Sequence, residues 1–245
     1  ANVIHDCTFY DDPGMAGTPS GEFLAIDNVL NASTVTIADN QILDNVLNTS
    51  VTGNLYLIYN SVNSPVVEVS GNLLQNNYKT VTSTTGIYYG YYSTSTTATG
   101  DQEFHDNVID GFGIPVAQNG SACGVRISSS INQNKQVYNN TVSNMTGGSS
   151  VATMFNCAFF IDGMNTGDAV YGNTVSDISG SGFLAAYNLY ANTTLVATTN
   201  LSYVFHDNIV DGLTTTTANT GAVGVYASQP ASGGGALTFY NNTIQ

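Results

Sequence analysis

Basic residues are almost missing from this chain. Lys and Arg together number three against 17 Asp plus Glu, a formal charge of −14 over 245 residues. So few cations cannot form the basic stripe that neutralises phosphates, which argues against nucleic acid and against an anionic membrane surface as partners. Long apolar runs are missing as well. No stretch reaches the roughly 18 residues of a membrane-spanning helix, so no transmembrane segment is expected. No secretory leader opens the chain, as expected of a processed or trimmed one. Amphipathic helices are also lacking, because Gly, Asn and Thr are spread throughout and disfavour them. There is no zinc spacing, phosphate loop or nucleophile triad, and the run Ser128-Ser129-Ser130 has no His near it in sequence. Charged residues are only 8%, yet Phe and Tyr supply 10%, so the chain has aromatic and β-branched material to bury and is not a disordered acidic tail. Solubility rests on Asn, Thr, Ser and a little acid. With so little Lys, an extracellular or cell-surface setting is the compositional expectation.

What is present is a repeat. Val137-Tyr138-Asn139-Asn140-Thr141-Val142 returns as Val170-Tyr171-Gly172-Asn173-Thr174-Val175, as Phe205-His206-Asp207-Asn208-Ile209-Val210, and in five further copies. The recurring asparagines are Asn2, Asn40, Asn72, Asn107, Asn140, Asn173, Asn208 and Asn242, at intervals of 38, 32, 35, 33, 33, 35 and 34 residues. A period of this size predicts a solenoid. Three residues before the asparagine stand Ile37, Val69, Phe104, Val137, Val170, Phe205 and Phe239; two after it stand Ile4, Ile42, Leu74, Ile109, Val142, Val175, Val210 and Ile244. Apolar residues at such spacing within short segments alternate with period two, as strands do. Each period holds a further apolar segment, such as Leu55-Tyr56-Leu57-Ile58-Tyr59 or Cys157-Ala158-Phe159-Phe160-Ile161. Two or three strands per period, stacked on those of the next, make a parallel β-solenoid whose coils bury their apolar faces on one another. The stack should rise about 4.8 Å per coil, roughly 29 Å from Asn40 to Asn242. Loops are expected at 94–100, 214–220 and 231–235. The asparagines are expected at bends, where Asn tolerates unusual dihedrals and where a stacked amide can donate to one neighbour and accept from another.

The aliphatic-x-x-Asn-x-aliphatic unit of Val137 to Val142 and Val170 to Val175 resembles the repeats of the right-handed parallel β-helix, or pectate-lyase-like, superfamily, and the resemblance covers nearly the whole chain. It implies a single all-β domain over 1–245, a right-handed parallel β-helix of about seven coils. It implies no one activity, since the superfamily holds polysaccharide lyases, glycoside hydrolases, phage tailspikes, adhesins and structural proteins. Its lyases commonly use a basic residue near a calcium site. This chain offers only Lys79, Arg126 and Lys135, with Arg126 in the coil after the acidic residues and expected to pair with them.

Those acidic residues are the first chemical candidates. Glu68 and Glu103 each stand four residues before a ladder asparagine, so they should be neighbours about 5 Å apart in consecutive coils. With Asp106 and Asp110 they form the candidate catalytic set, because glycosidases need two carboxyls about 5 to 9.5 Å apart. With Asp101 they form the candidate metal set, suited to Ca²⁺. The bland alternative is a solvated acidic face. His105 and His206 lie three coils apart, roughly 14 Å along the axis, too far to share a metal. With Tyr138, Tyr171 and Tyr240 they read as a column of stacked rings. Cys123 and Cys157 open the second strand of consecutive coils and are placed for a disulfide, with stacked buried thiols as the alternative, while Cys7 has no evident partner. Among Tyr88, Tyr89, Tyr91 and Tyr92, alternate rings must face opposite ways, and the outward ones should join Tyr56 and Tyr59 in an exposed strip suited to sugars or a subunit interface. Sequons occur at Asn31, Asn48, Asn119, Asn139, Asn144, Asn192, Asn200 and Asn241, as candidate glycosylation sites or as chance triplets in an Asn- and Thr-rich chain.

Neither end carries a helix or a polar cap, although 7–21 is a candidate cap over the first coil. Open coil ends predict end-to-end self-association or continuation of a longer chain. The expected function is therefore a non-enzymatic extracellular β-helix, an adhesin module or a self-assembling filament or surface-layer subunit, with carbohydrate as a candidate ligand. The alternative is a polysaccharide hydrolase or lyase working from the acidic face.

Overall fold

The computed structural model describes residues 2–10, 23–29, 31–48, 54–61, 63–80, 86–94, 99–114, 120–128, 133–148, 156–191, 201–216, 221–228 and 235–245. Their strands form three parallel sheets, in which each strand pairs with its counterparts one period away on either side. The first sheet holds the strands that follow the ladder asparagines, among them Leu73–Lys79, Val108–Gly113, Thr141–Gly147, Thr174–Gly180 and Ile209–Thr215. The second runs through Phe23–Asn28, Leu55–Asn60, Ile87–Thr94, Ser121–Ser128, Asn156–Met164, Leu184–Ala191 and Ala222–Ser228. The third holds the strands before the asparagines, including Val66–Ser70, Gly100–His105, Gln133–Tyr138, Ala169–Tyr171 and Leu201–His206. The chain is an all-β parallel β-solenoid of several turns.

The apolar columns explain why the sequence winds this way. Val69, Phe104, Val137, Val170 and Phe205 lie in register in the third sheet, and Leu74, Ile109, Val142, Val175 and Val210 in the first; all point into the core. One coil could not bury them alone; stacking removes their faces from water. In the last coil the same columns are open, with Phe239 45% and Ile244 54% exposed.

Between the third and first sheets the chain turns at the asparagine ladder. Each ladder Nδ2 donates to the Oδ1 of the next coil's asparagine, from Asn2 to Asn40 through to Asn208 to Asn242, at 2.8–3.2 Å. The backbone N–H of each donates to the same Oδ1. The expected unusual dihedral falls elsewhere. It belongs to the residue before the ladder asparagine, where Asp39, Gly71, Asp106, Asn139, Gly172, Asp207 and Asn241 have φ between 53° and 64°. A second left-handed corner lies four residues after the ladder, at Asp6, Asp44, Asn76, Gly111, Asn144, Asp177 and Gly212. Only Gly, Asn and Asp adopt this conformation routinely, which accounts for both columns.

A second, shorter ladder was not legible from the repeat. Asn45 Nδ2 donates to Asn77 Oδ1 at 2.8 Å, and Cys7 N–H donates to Asn45 Oδ1 at 3.1 Å. In later coils the same column is Phe112, Met145 and Ile178, all buried. Of the candidate cap over 7–21, Thr8–Tyr10 pairs in the first sheet with Val46–Asn48, and residues 11–21 lie outside those described. Of the expected loops, 95–98, 217–220 and 231–234 also lie outside them, and Thr214 and Thr215 instead close a strand.

Candidate functional site

The acidic face is only partly assembled as the spacing predicts. Glu68 and Glu103 are register partners on the third sheet. His105 Nε2 faces both, at 3.5 Å from Glu68 Oε1 and 3.9 Å from Glu103 Oε2, while its Nδ1 lies 2.8 Å from Asp106 Oδ2. Ser70 Oγ donates to Glu68 and Tyr138 OH to Glu103. Burial, then the Glu103 carboxylate, pushes the Tyr138 phenol up to about 12. Asp110 does not join them. It lies past the corner, on the first sheet, where hydrogen bonds from Asn144, Ser143 and Gln75 outweigh its burial and hold its carboxyl below the usual Asp range. Such a carboxylate is a poor proton donor. Asp101 is engaged separately, accepting from Asn134 Nδ2 at 3.1 Å. Among the described residues no three His, Cys, Asp or Glu side chains converge to hold a metal ion, so the set Glu68, Glu103 and Asp101 is not drawn together.

The ring column is as expected. His105, Tyr138, Tyr171, His206 and Tyr240 stack in order, with centroids 4.6–5.0 Å apart and planes within 5° of parallel. The column runs along the outside of the third sheet, and it holds His105 against the two glutamates.

The second sheet carries the more enclosed site. In Ile87–Thr94 strict alternation, which would pair Tyr88 with Tyr92 and Tyr89 with Tyr91, is broken at Gly90. Tyr88 and Tyr91 face the core against Phe112 and Phe104, and Tyr89 and Tyr92 face outward. Tyr56, Tyr89, Cys123 and Cys157 follow one another in register, as do Tyr59, Tyr92, Arg126 and Phe160. The four outward tyrosines stack at centroid distances of 4.7–5.6 Å. They are not the open strip that the sequence suggests: Tyr56 and Tyr89 are 3% and 1% exposed and form a base, with Tyr59 and Tyr92 half-buried above. Arg126 is not paired with the acidic face. Its guanidinium lies between Tyr92 and Phe160, 5.1 Å and 5.0 Å from their centroids, and Nη1 donates to Tyr89 OH at 3.0 Å. Asn54, Ile87, Asp162 and Tyr190 complete the lining of a cleft of about 640 Å³. Phe160, Asp162, Asn54 and Tyr190 were not anticipated as members. The signal was available for Phe160, since Tyr59, Tyr92, Arg126 and Phe160 all lie 19 or 20 residues after a ladder asparagine.

Beneath this cleft Cys123 and Cys157 stack as expected, but as free thiols. Their sulfurs are 3.1 Å apart and both are fully buried, which pushes the Cys157 thiol up. The disulfide reading is corrected accordingly; Cys7 is also free. The sequons at Asn31, Asn139, Asn144 and Asn241 are exposed. Asn139, Asn144 and Asn241 sit at left-handed corners, so the fold itself explains an Asn there. Asn119, Asn192, Asn200 and the Asn48 side chain lie outside what is described.

The remaining cations are inside. Lys79 and Lys135 are each 1% exposed. Among the described residues no helix is long and apolar enough to cross a membrane.

These features define a parallel β-solenoid, consistent with the pectate-lyase-like superfamily, with no specific member identified. No family model matches the chain, and neither a curated protein nor a solved structure matches it.

Proposed function

We propose that this chain is a non-catalytic extracellular binding module of the adhesin type, a right-handed β-helix of about seven coils that holds a saccharide in its tyrosine cleft. The observation that carries the reading is the cleft itself, four stacked tyrosines with Arg126 at one end of the stack and Asp162 and Asn54 at its wall. The phenols, guanidinium, carboxylate and amide match sugar hydroxyls in both hydrogen-bonding senses, and the half-buried Tyr59 and Tyr92 add apolar ring edge beside them. The purified chain is expected to be retarded in gels containing a polysaccharide it recognises. Tyr92→Ala should weaken that binding about tenfold, the effect of roughly 1.4 kcal/mol lost from one stacked ring. If no polysaccharide in a broad panel retards the chain, or Tyr92→Ala binds as well, the reading fails.

The acidic face supports a second reading, a hydrolase or lyase, because Glu68 and Glu103 stand together beside His105. The same polysaccharides decide it. Release of new chain ends, abolished by Glu103→Gln, would replace binding with turnover.

End-to-end association belongs to the first reading. The exposed Phe239 and Ile244 present the columns that every inner coil buries against its neighbour. Electron microscopy of concentrated material should show axial stacks. Discrete particles at all concentrations would count against self-association of this chain.

A further inference from the structure

The fifth residue before the ladder asparagine points into the core. In successive coils it is Val35, Val67, Gln102, Lys135, Asp168 and Tyr203, all buried. Nothing in the packing of an apolar column calls for a lysine followed, one coil on, by an aspartate. Lys135 is 1% exposed and Asp168 0%. Lys135 Nζ lies 3.4 Å from Asp168 Oδ2 and donates to the Gly163 carbonyl at 2.7 Å and the Gln133 carbonyl at 3.4 Å. Asp168 is held equally firmly: Oδ1 accepts the Lys135 backbone N–H at 2.8 Å and Oδ2 the Asn165 N–H at 2.7 Å.

We propose that Lys135 and Asp168 condense to an intramolecular isopeptide bond, Lys135 Nζ to Asp168 Cγ, which covalently staples two consecutive coils.

The reaction is an acyl transfer that needs no oxidant and no other reactant. The lone pair of the neutral amine attacks Cγ of the protonated carboxyl, forming the C–N bond. The carbon–oxygen bond to Oδ2 then breaks, and that hydroxyl takes one amine proton and leaves as water. The neutral amine and neutral acid together hold the same protons as the ammonium and carboxylate, so the charge balances. Burial favours this neutral pair. Desolvation drives the Asp168 carboxyl up to about 6 despite Lys135 and the two backbone N–H donors, and drives the Lys135 amine down despite Asp168. The Lys135 backbone N–H on Oδ1 is placed to stabilise the oxyanion that develops on that oxygen. The Gly163 carbonyl fixes the amine, and the fold holds both reactants side by side, which replaces an encounter in solution.

The test is the mass of the full chain, produced in a host that adds no glycan and read under denaturing conditions. The expected mass is one water below that of the sequence. Tandem mass spectrometry of digested chain should find the Lys135 and Asp168 segments joined. Lys135→Arg keeps the charge but offers no amine to acylate, and should restore the full mass, as should Asp168→Ala. A wild-type chain of full mass, with an unmodified Lys135 segment, overturns the proposal. So does a water loss that persists in Lys135→Arg, since it would then arise elsewhere, for example by cyclisation at Asp162-Gly163.

Discussion

Asn140→Ala is expected to destabilise the chain by about 3–5 kcal/mol, measured as the loss of unfolding free energy in urea, from one orphaned buried donor and several lost hydrogen bonds. Asn140 sits mid-ladder and is 1% exposed. Its Oδ1 accepts both the N–H and the Nδ2 of Asn107, and its own Nδ2 reaches Asn173 Oδ1 and the carbonyls of Phe104 and Tyr138. Removing the amide leaves the Asn107 N–H facing a cavity where neither protein nor solvent replaces the acceptor. Asn140→Asp tests the same account differently. It keeps an acceptor for Asn107 but turns a second oxygen toward three others, and it should be about as damaging as alanine. Asn242→Ala, in the open last coil, should cost under about 1 kcal/mol, because water can take over its partners. A mid-ladder loss as small as the terminal one would mean that the apolar columns alone hold the coils in register.

The second large effect is expected at Gly113. Its φ is +134°, and a Cβ there would overlap the Thr146 carbonyl oxygen. That oxygen cannot withdraw, because it accepts the N–H of Ile114, the next residue, at 2.9 Å. Gly113→Ala must therefore push neighbouring coils apart, at about 3–5 kcal/mol from backbone strain and overpacking together. Gly172→Asn supplies the contrast. Gly172 also has positive φ, but a Cβ would meet only the Asn139 side-chain oxygen, which can swing away, and Asn139 and Asn241 already occupy equivalent corners. Its cost should stay within about 1 kcal/mol. Thermal unfolding of the two variants side by side makes the comparison, and equal midpoints would show that the close approach at Gly113 is not rigid.

How much of this was legible depended on whether one residue type could satisfy a position. The ladder asparagine stood out because its side chain both donates and accepts along the axis at that bend, and the columns of Val137 and Val142 stood out because every inner coil buries them. The left-handed corners escaped notice because Asp39, Gly71 and Asn139 are different letters for one backbone conformation. The Asn45–Asn77 ladder escaped because Phe112 and Met145 meet the same position by filling it with hydrocarbon. The tyrosine cleft was half seen: alternation separated Tyr88 from Tyr89, but only the structure shows Arg126 leaving the acidic residues to lie between Tyr92 and Phe160. Asp168 was invisible because an aspartate in sequence reads as surface, and only its place in the inward column shows that it is not.

The ladder also gives the solenoid a sense of direction. From Asn40 onward every Oδ1 in it accepts from the asparagine of the preceding coil, so the row is a one-way chain of dipoles from Asn2 to Asn242. In such a row each bond polarises the next, and a reversed member would set amide against amide or oxygen against oxygen. A coil added at either face, whatever its source, is accepted in only one orientation. Two copies brought together by like ends cannot continue the row, so any assembly that extends it is polar, with two chemically different tips.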